Sequence, residues 1–306
     1  MRRDEYYRSN VFTDFTSMRK AKGGKRRKIL RRLEPWVFQR FIEYCMRVWD
    51  LETLAARKLS PIAQEALIHC YSSKTAPFKA ALSELERVSR PEPYRCPYCL
   101  MRQPKTWDHF LAKEDFPEFA SLIPNLIRTC DPCNRKKGQR LTGAPREVIN
   151  PYFDKLPDTP LLFCDASVGI DGRLVLKYYI RRNPQVTPEV LDLVERHFAA
   201  FELEQDLLIE GATIVTTFVK EITAGRTVAL NAAGLEAEIK RRLDGLEAFP
   251  TNSWEVATFD GLLHSSSFIG YVNERIVPPQ PVTAAQATAR ATHLAKRAAI
   301  RASGPF

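Results

Sequence analysis

Cys96-Pro97-Tyr98-Cys99 and Cys130-Asp131-Pro132-Cys133 stand thirty residues apart, and the stretch between them decides how this chain is read. Four thiolates in two C-x-x-C knuckles satisfy a tetrahedral Zn²⁺ at a closed structural site. With all four positions taken by Cys96, Cys99, Cys130 and Cys133, such a zinc has no open position for chemistry, so it must hold something else in place. What it would hold lies between and just after the knuckles. Trp107-Asp108-His109-Phe110-Leu111 follows the first pair, Asn125-Leu126-Ile127 leads into the second, and Asn134 with Lys136-Lys137-Gly138 follows it.

These residues resemble the HNH endonuclease family, whose ββα-metal site is often braced by a four-cysteine zinc. The family pattern is Asp-His on a first strand, Asn-Leu before the second C-x-x-C, and Cys-Asn-x-x-Lys on a helix. Each element occurs here in that order, within about residues 94–150. Two departures stand out. Asn134 occupies a position that is often His, and Ala112 follows Asp108-His109-Phe110-Leu111 where similar proteins carry Pro.

The resemblance implies roles for named residues. Cleaving a phosphodiester needs a base to activate water and a cation to neutralise charge on the phosphate and the leaving oxygen. His109 would be the base, since imidazole titrates near working pH. Asp108 and Asn134 would bind a catalytic Mg²⁺ or Mn²⁺, which prefer oxygen donors. Asn125 would tie the inter-strand loop together and orient His109. Asp131-Pro132 reads as an N-cap with a first-turn proline. That would put Asn134 in the opening turns of a helix, with Arg135, Lys136 and Lys137 within reach of phosphates.

Outward from this module, charge is uneven across the 306 residues. Residues 1–32 hold twelve Lys/Arg against three acids, whereas residues 148–277 hold twelve against nineteen. The expected organisation is a basic flexible arm (1–32), a helical region (33–90), the nuclease module (91–150), a hairpin plus helical domain (151–277) and a basic Ala-rich tail (278–306). Glu34-Pro35 reads as a helix start, with Trp36, Val37, Phe38, Phe41, Ile42, Cys45, Val48 and Trp49 at helical spacing. Further helices are expected from Pro61 to Cys70 and around Phe78–Leu85. Asp171-Gly172-Arg173 between alternating apolar runs predicts a β-hairpin over 161–181. Helix follows from Thr187-Pro188 to about 248, broken near Gly225, and again from Trp254 to Val272. The fold class is α+β, mainly α, with a zinc-braced ββα module embedded between helical regions.

No apolar run approaches the roughly 18 residues of a membrane span, and no apolar segment follows Met1-Arg2-Arg3-Asp4-Glu5 to suggest a secretory signal. Seven cysteines, four of them in metal-type pairs, argue for a reducing compartment, so a cytoplasmic protein is expected. The function expected is hydrolysis of DNA, double-stranded by preference. By resemblance to some relatives it would act in anti-phage defence beside an ATPase partner, for which the acidic C-terminal half is suited. Nothing in the ββα pattern reads base sequence. The alternative is a zinc-dependent nucleic-acid-binding or adaptor module that does not cut.

Overall fold

The computed structural model describes residues 3–89, 94–138, 145–276 and 284–302. The chain is mainly helical, with two small antiparallel hairpins. Four helices come first: α1 (Arg3–Lys20), α2 (Gly24–Met46), α3 (Pro61–Ser72) and α4 (Ala76–Ser89). The strands β1 (Thr106–His109) and β2 (Leu126–Thr129) pair antiparallel, and α5 (Asp131–Lys137) follows directly. This strand–strand–helix order coincides with the stretch between and after the two cysteine pairs.

Two expectations for the N-terminal region are corrected. The basic segment is no flexible arm: over residues 3–20 and from Gly24 onward it is helix. Val11, Phe15 and Met18 recur at i, i+4 and i+7 and are 3%, 0% and 1% exposed, a stripe that the surrounding charge conceals. Phe15 stands edge-on to both Phe38 and Phe41 of α2, so the two helices share one core. Nor does α2 begin at Pro35, which lies inside it. An internal proline forfeits a backbone hydrogen bond and costs about 3 kcal/mol. Burial of Leu30, Val37, Phe41 and Tyr44 on one face carries the helix past it.

The C-terminal half begins with the hairpin β3 (Leu162–Val168) and β4 (Leu174–Ile180), in register Leu162↔Ile180 to Val168↔Leu174. Gly172 takes φ 73° at its turn, a conformation that needs glycine. Helices α6 (Pro188–Ala200), α7 (Leu203–Thr223), α8 (Ala232–Asp244), α9 (Trp254–Leu263) and α10 (Phe268–Asn273) follow. There are more breaks than the apolar periodicity suggests, because Glu202 turns left-handed at φ 52° between α6 and α7. Gly261 on α9 lies against the Cys164 backbone, where an added Cβ would sit 2.2 Å from the carbonyl oxygen, so α9 and β3 touch at bare backbone. Helix α11 (Ala284–Ala302) occupies the tail. The boundaries expected between residues 90 and 91 and between 277 and 278 lie outside the described residues. No helix among the described residues is long and apolar enough to cross a membrane.

Candidate functional site

Cys96, Cys99, Cys130 and Cys133 converge, all buried, with their sulfurs within 4.8 Å of one another and Cys99 Sγ 3.9 Å from Cys130 Sγ. Zinc–sulfur bonds of about 2.3 Å place tetrahedral sulfurs about 3.8 Å apart, so this cluster could hold a structural zinc with little adjustment. The first knuckle is closed by Leu100 N–H donating to Cys96 O (2.8 Å), with Leu100 at φ 55°, a strained conformation for a branched side chain. Hydrogen bonding among the sulfurs holds the Cys96 and Cys133 thiols up and the Cys99 and Cys130 thiols down. They compete for charge, a conflict that a bound dication removes.

Each knuckle also delivers a polar group to a second place. Tyr98, between Cys96 and Cys99, donates its hydroxyl to Asp108 Oδ2 at 2.8 Å. Asn134, next to Cys133, donates from Nδ2 to Thr106 Oγ1 at 3.3 Å. Asp108, His109 and Asn134 together line one cleft of about 390 Å³, with Tyr71, Trp107, Lys113 and Glu114. Asp108 and His109 are strand neighbours with opposite orientations, and both reach the cleft because His109 ends β1. Cys130 caps α5 and Asp131 is already its first residue, so the expected Asp131 cap is corrected. Cys130 takes the extended cap conformation at ψ 155° while its sulfur joins the cluster.

His109 is 8% exposed, and its Nε2 lies 2.9 Å from Ala120 O. A carbonyl only accepts, so Nε2 carries the proton and Nδ1 keeps its lone pair. Burial pushes the imidazole down to about 4, so it is neutral near pH 7. The Tyr71 ring stands edge-on at 4.3 Å and donates its hydroxyl to Trp107 O, bracing both His109 and its strand. Asn125 is fully buried. It accepts from Leu111 N–H (2.8 Å) and donates to Leu111 O and Phe119 O (3.0 and 3.2 Å), spanning the loop on either side of the histidine.

The three basic residues of α5 diverge. Arg135 is exposed with no ion pair among the described residues. Lys136 instead turns to the C-terminal half, donating to Phe201 O (2.7 Å) and Asp206 (3.1 Å). Lys137 is 1% exposed, bonded to Asp108 Oδ1 (3.1 Å) and His109 O (2.6 Å). Burial raises the Asp108 carboxyl and lowers the Lys137 ammonium, and each charge offsets the other's loss of solvent. An Asp carboxylate and an Asn amide oxygen in one cleft are the hard donors that Mg²⁺ or Mn²⁺ prefers. Such a cation would share Asp108 with the Lys137 ammonium.

Several supporting residues carry no signal in the sequence. Arg40 of α2 and Glu118 of the inter-strand loop form an ion pair at 2.8 Å, 2% and 0% exposed. Tyr44 donates to Pro124 O in the same loop. His197 reads as an ordinary histidine, yet its Nε2 donates to Tyr98 O (2.8 Å) and its Nδ1 accepts from Ile149 N–H (3.1 Å). Tyr98 alone could have been marked, as a polar aromatic inside a metal knuckle.

No family model matches the chain, and no solved structure matches it. It is similar to protein ea31 of Escherichia phage lambda, 27% identical over 190 residues. That match covers 57% of this chain and 63% of the phage protein, so it spans less than two thirds of the relative's length.

Proposed function

We propose that this chain is a metal-dependent endonuclease of the HNH kind that hydrolyses DNA phosphodiester bonds in the cleft. The observation that carries the reading is His109: a neutral imidazole, its Nε2–H committed to Ala120 O, with an unprotonated Nδ1 on a ring lining the same cleft as Asp108 and Asn134. A zinc module built only for binding has no need of a histidine held in this tautomer beside two oxygen donors.

In this reading Nδ1 takes the proton of the attacking water, and Ala120 O and Tyr71 keep the ring from turning away. Asp108 and Asn134 would hold the Mg²⁺ or Mn²⁺, which neutralises charge on the phosphate and leaving oxygen. Arg135, exposed at the same helix, is free to meet a neighbouring phosphate. Tyr98 and Asn134 link the chemistry to the cysteine cluster, so the zinc acts by placement. The test is plasmid cleavage in Mg²⁺ or Mn²⁺ beside a His109→Ala control. Cleavage is expected only in the parent. Equal cleavage by the variant would remove His109 as the base, and no cleavage by either would favour the binding-module alternative.

A further inference from the structure

We infer that the outward face of the first turns of α2 is a surface that holds the DNA backbone, an inference that rests on the nuclease reading above. Lys25, Arg27, Lys28, Arg31 and Arg32 are all exposed, and none has an ion pair among the described residues. Their neighbours are spent differently. Arg19 pairs with Glu34 at 2.7 Å, Arg26 pairs with Glu65 at 2.9 Å, and Lys22 donates to Ser73 O and His69 O. No Asp or Glu occurs between Asp14 and Glu34, so the face has no internal counter-charge.

At 3.6 residues per turn the five side chains fall within an arc of about 160°, opposite Leu30, Val37 and Tyr44, and span about 10 Å of helix. That length matches about three phosphates on one strand, at a rise of about 3.4 Å each. Past Pro35 the exposed stripe changes character, with Ile42 49% and Met46 78% exposed, so the cationic face is bounded.

The helix that carries the face is tied to the cleft wall. Lys22, just before α2, reaches Ser73 at the end of α3, and Arg26 reaches Glu65 two turns back. On the same last turn of α3 stands Tyr71, which lines the cleft against His109. Gln64 Nε2 meets Glu114 O on the cleft wall at 3.4 Å. Helix α3 therefore packs on the inward side of α2, between that helix and the cleft, and the basic arc faces outward from both. A protein partner would want an apolar centre with few lysines. This arc has neither, and its uniform sign suits a phosphate backbone.

Anisotropy of a labelled duplex across a KCl series would test this, using the full chain with His109→Ala so that the probe survives. Replacing Lys25, Arg27, Lys28, Arg31 and Arg32 with Gln should flatten the slope of log K against log salt by about 0.9 for each phosphate that is no longer neutralised, about three units in all. A control with Lys177→Gln and Lys220→Gln, exposed charges of β4 and α7, should leave the slope unchanged. The Lys28→Gln, Arg31→Gln pair should give a smaller flattening and serves if the fivefold variant is unstable. An unchanged slope in the face variants, as expected if the face serves an acidic protein, would overturn the inference. So would equal flattening per charge in the control. A parent that cleaves nothing but shows the slope change would sink the nuclease reading alone, and a parent that cleaves with no slope change would sink this inference alone.

Discussion

The Lys137 ammonium lies 3.1 Å from Asp108 Oδ1 and 2.6 Å from the His109 carbonyl oxygen, almost completely out of solvent. The sequence pattern assigns it to phosphate contact, because a lysine two residues beyond Arg135 on a basic helix reads as surface charge. Packing assigns it to the carboxylate. Removing one partner of a buried pair leaves the other uncompensated, at a cost of about 3–5 kcal/mol. Lys137→Met should therefore lower the melting temperature sharply. If Asp108 also serves a divalent cation, Mn²⁺ should recover part of that loss and raise the melting temperature more in the variant than in the parent. Equal Mn²⁺ shifts in both proteins, read by scanning calorimetry, would show that ammonium and cation do not compete for Asp108. Asp108, His109, Asn125 and Asn134 were singled out by the family resemblance, and the structure brings Asp108, His109 and Asn134 to one cleft. Their partners were not singled out.

At the scale of elements, α2 underlies the whole site. Arg40 grips Glu118 and stacks over the Phe119 ring, one residue before the Ala120 carbonyl that fixes His109. Arg40→Ala should cost about 3–5 kcal/mol by stranding Glu118. Arg40→Met with Glu118→Leu should recover most of that stability in urea unfolding. If the double variant is as unstable as the single, the loss lies in packing rather than in stranded charge. The cysteine cluster braces the module from the other side. Cys130→Ser should abolish zinc binding and loosen residues 94–138 together, since metal binding contributes folding free energy. Zinc content and hydrogen exchange would read this, and undiminished protection of β1, β2 and α5 would contradict it.

Across the whole molecule, two buried histidines tie stability to pH. Burial holds both His109 and His197 down at about 4, against about 6.5 in an unfolded chain. Between those values the unfolded state binds protons that the folded state refuses. Stability from each is thus complete above about pH 6.5 and falls by up to roughly 3 kcal/mol as pH drops toward 4. Denaturant unfolding at pH 7 and pH 4.5 should show the decline, with a smaller decline in His197→Gln. An identical pH dependence in that variant would mean that His197 contributes none of it. His197 also shows where sequence reading stops. Nothing nearby marks it, yet it joins α6 to the first knuckle through Tyr98 O. The sequence by itself determined the cysteine cluster and the second hairpin, because those depend on ligand spacing, on alternation and on a glycine turn, all local quantities, whereas the strand–strand–helix order was expected from the resemblance alone. Only the tertiary structure decided that the basic N-terminal segment is packed helix, that Tyr71 and Arg40 support the site, and that Lys136 and Lys137 are bound within the molecule while Arg135 is exposed. Whether a charge is solvated or buried depends on which distant element covers it, and no local pattern encodes that.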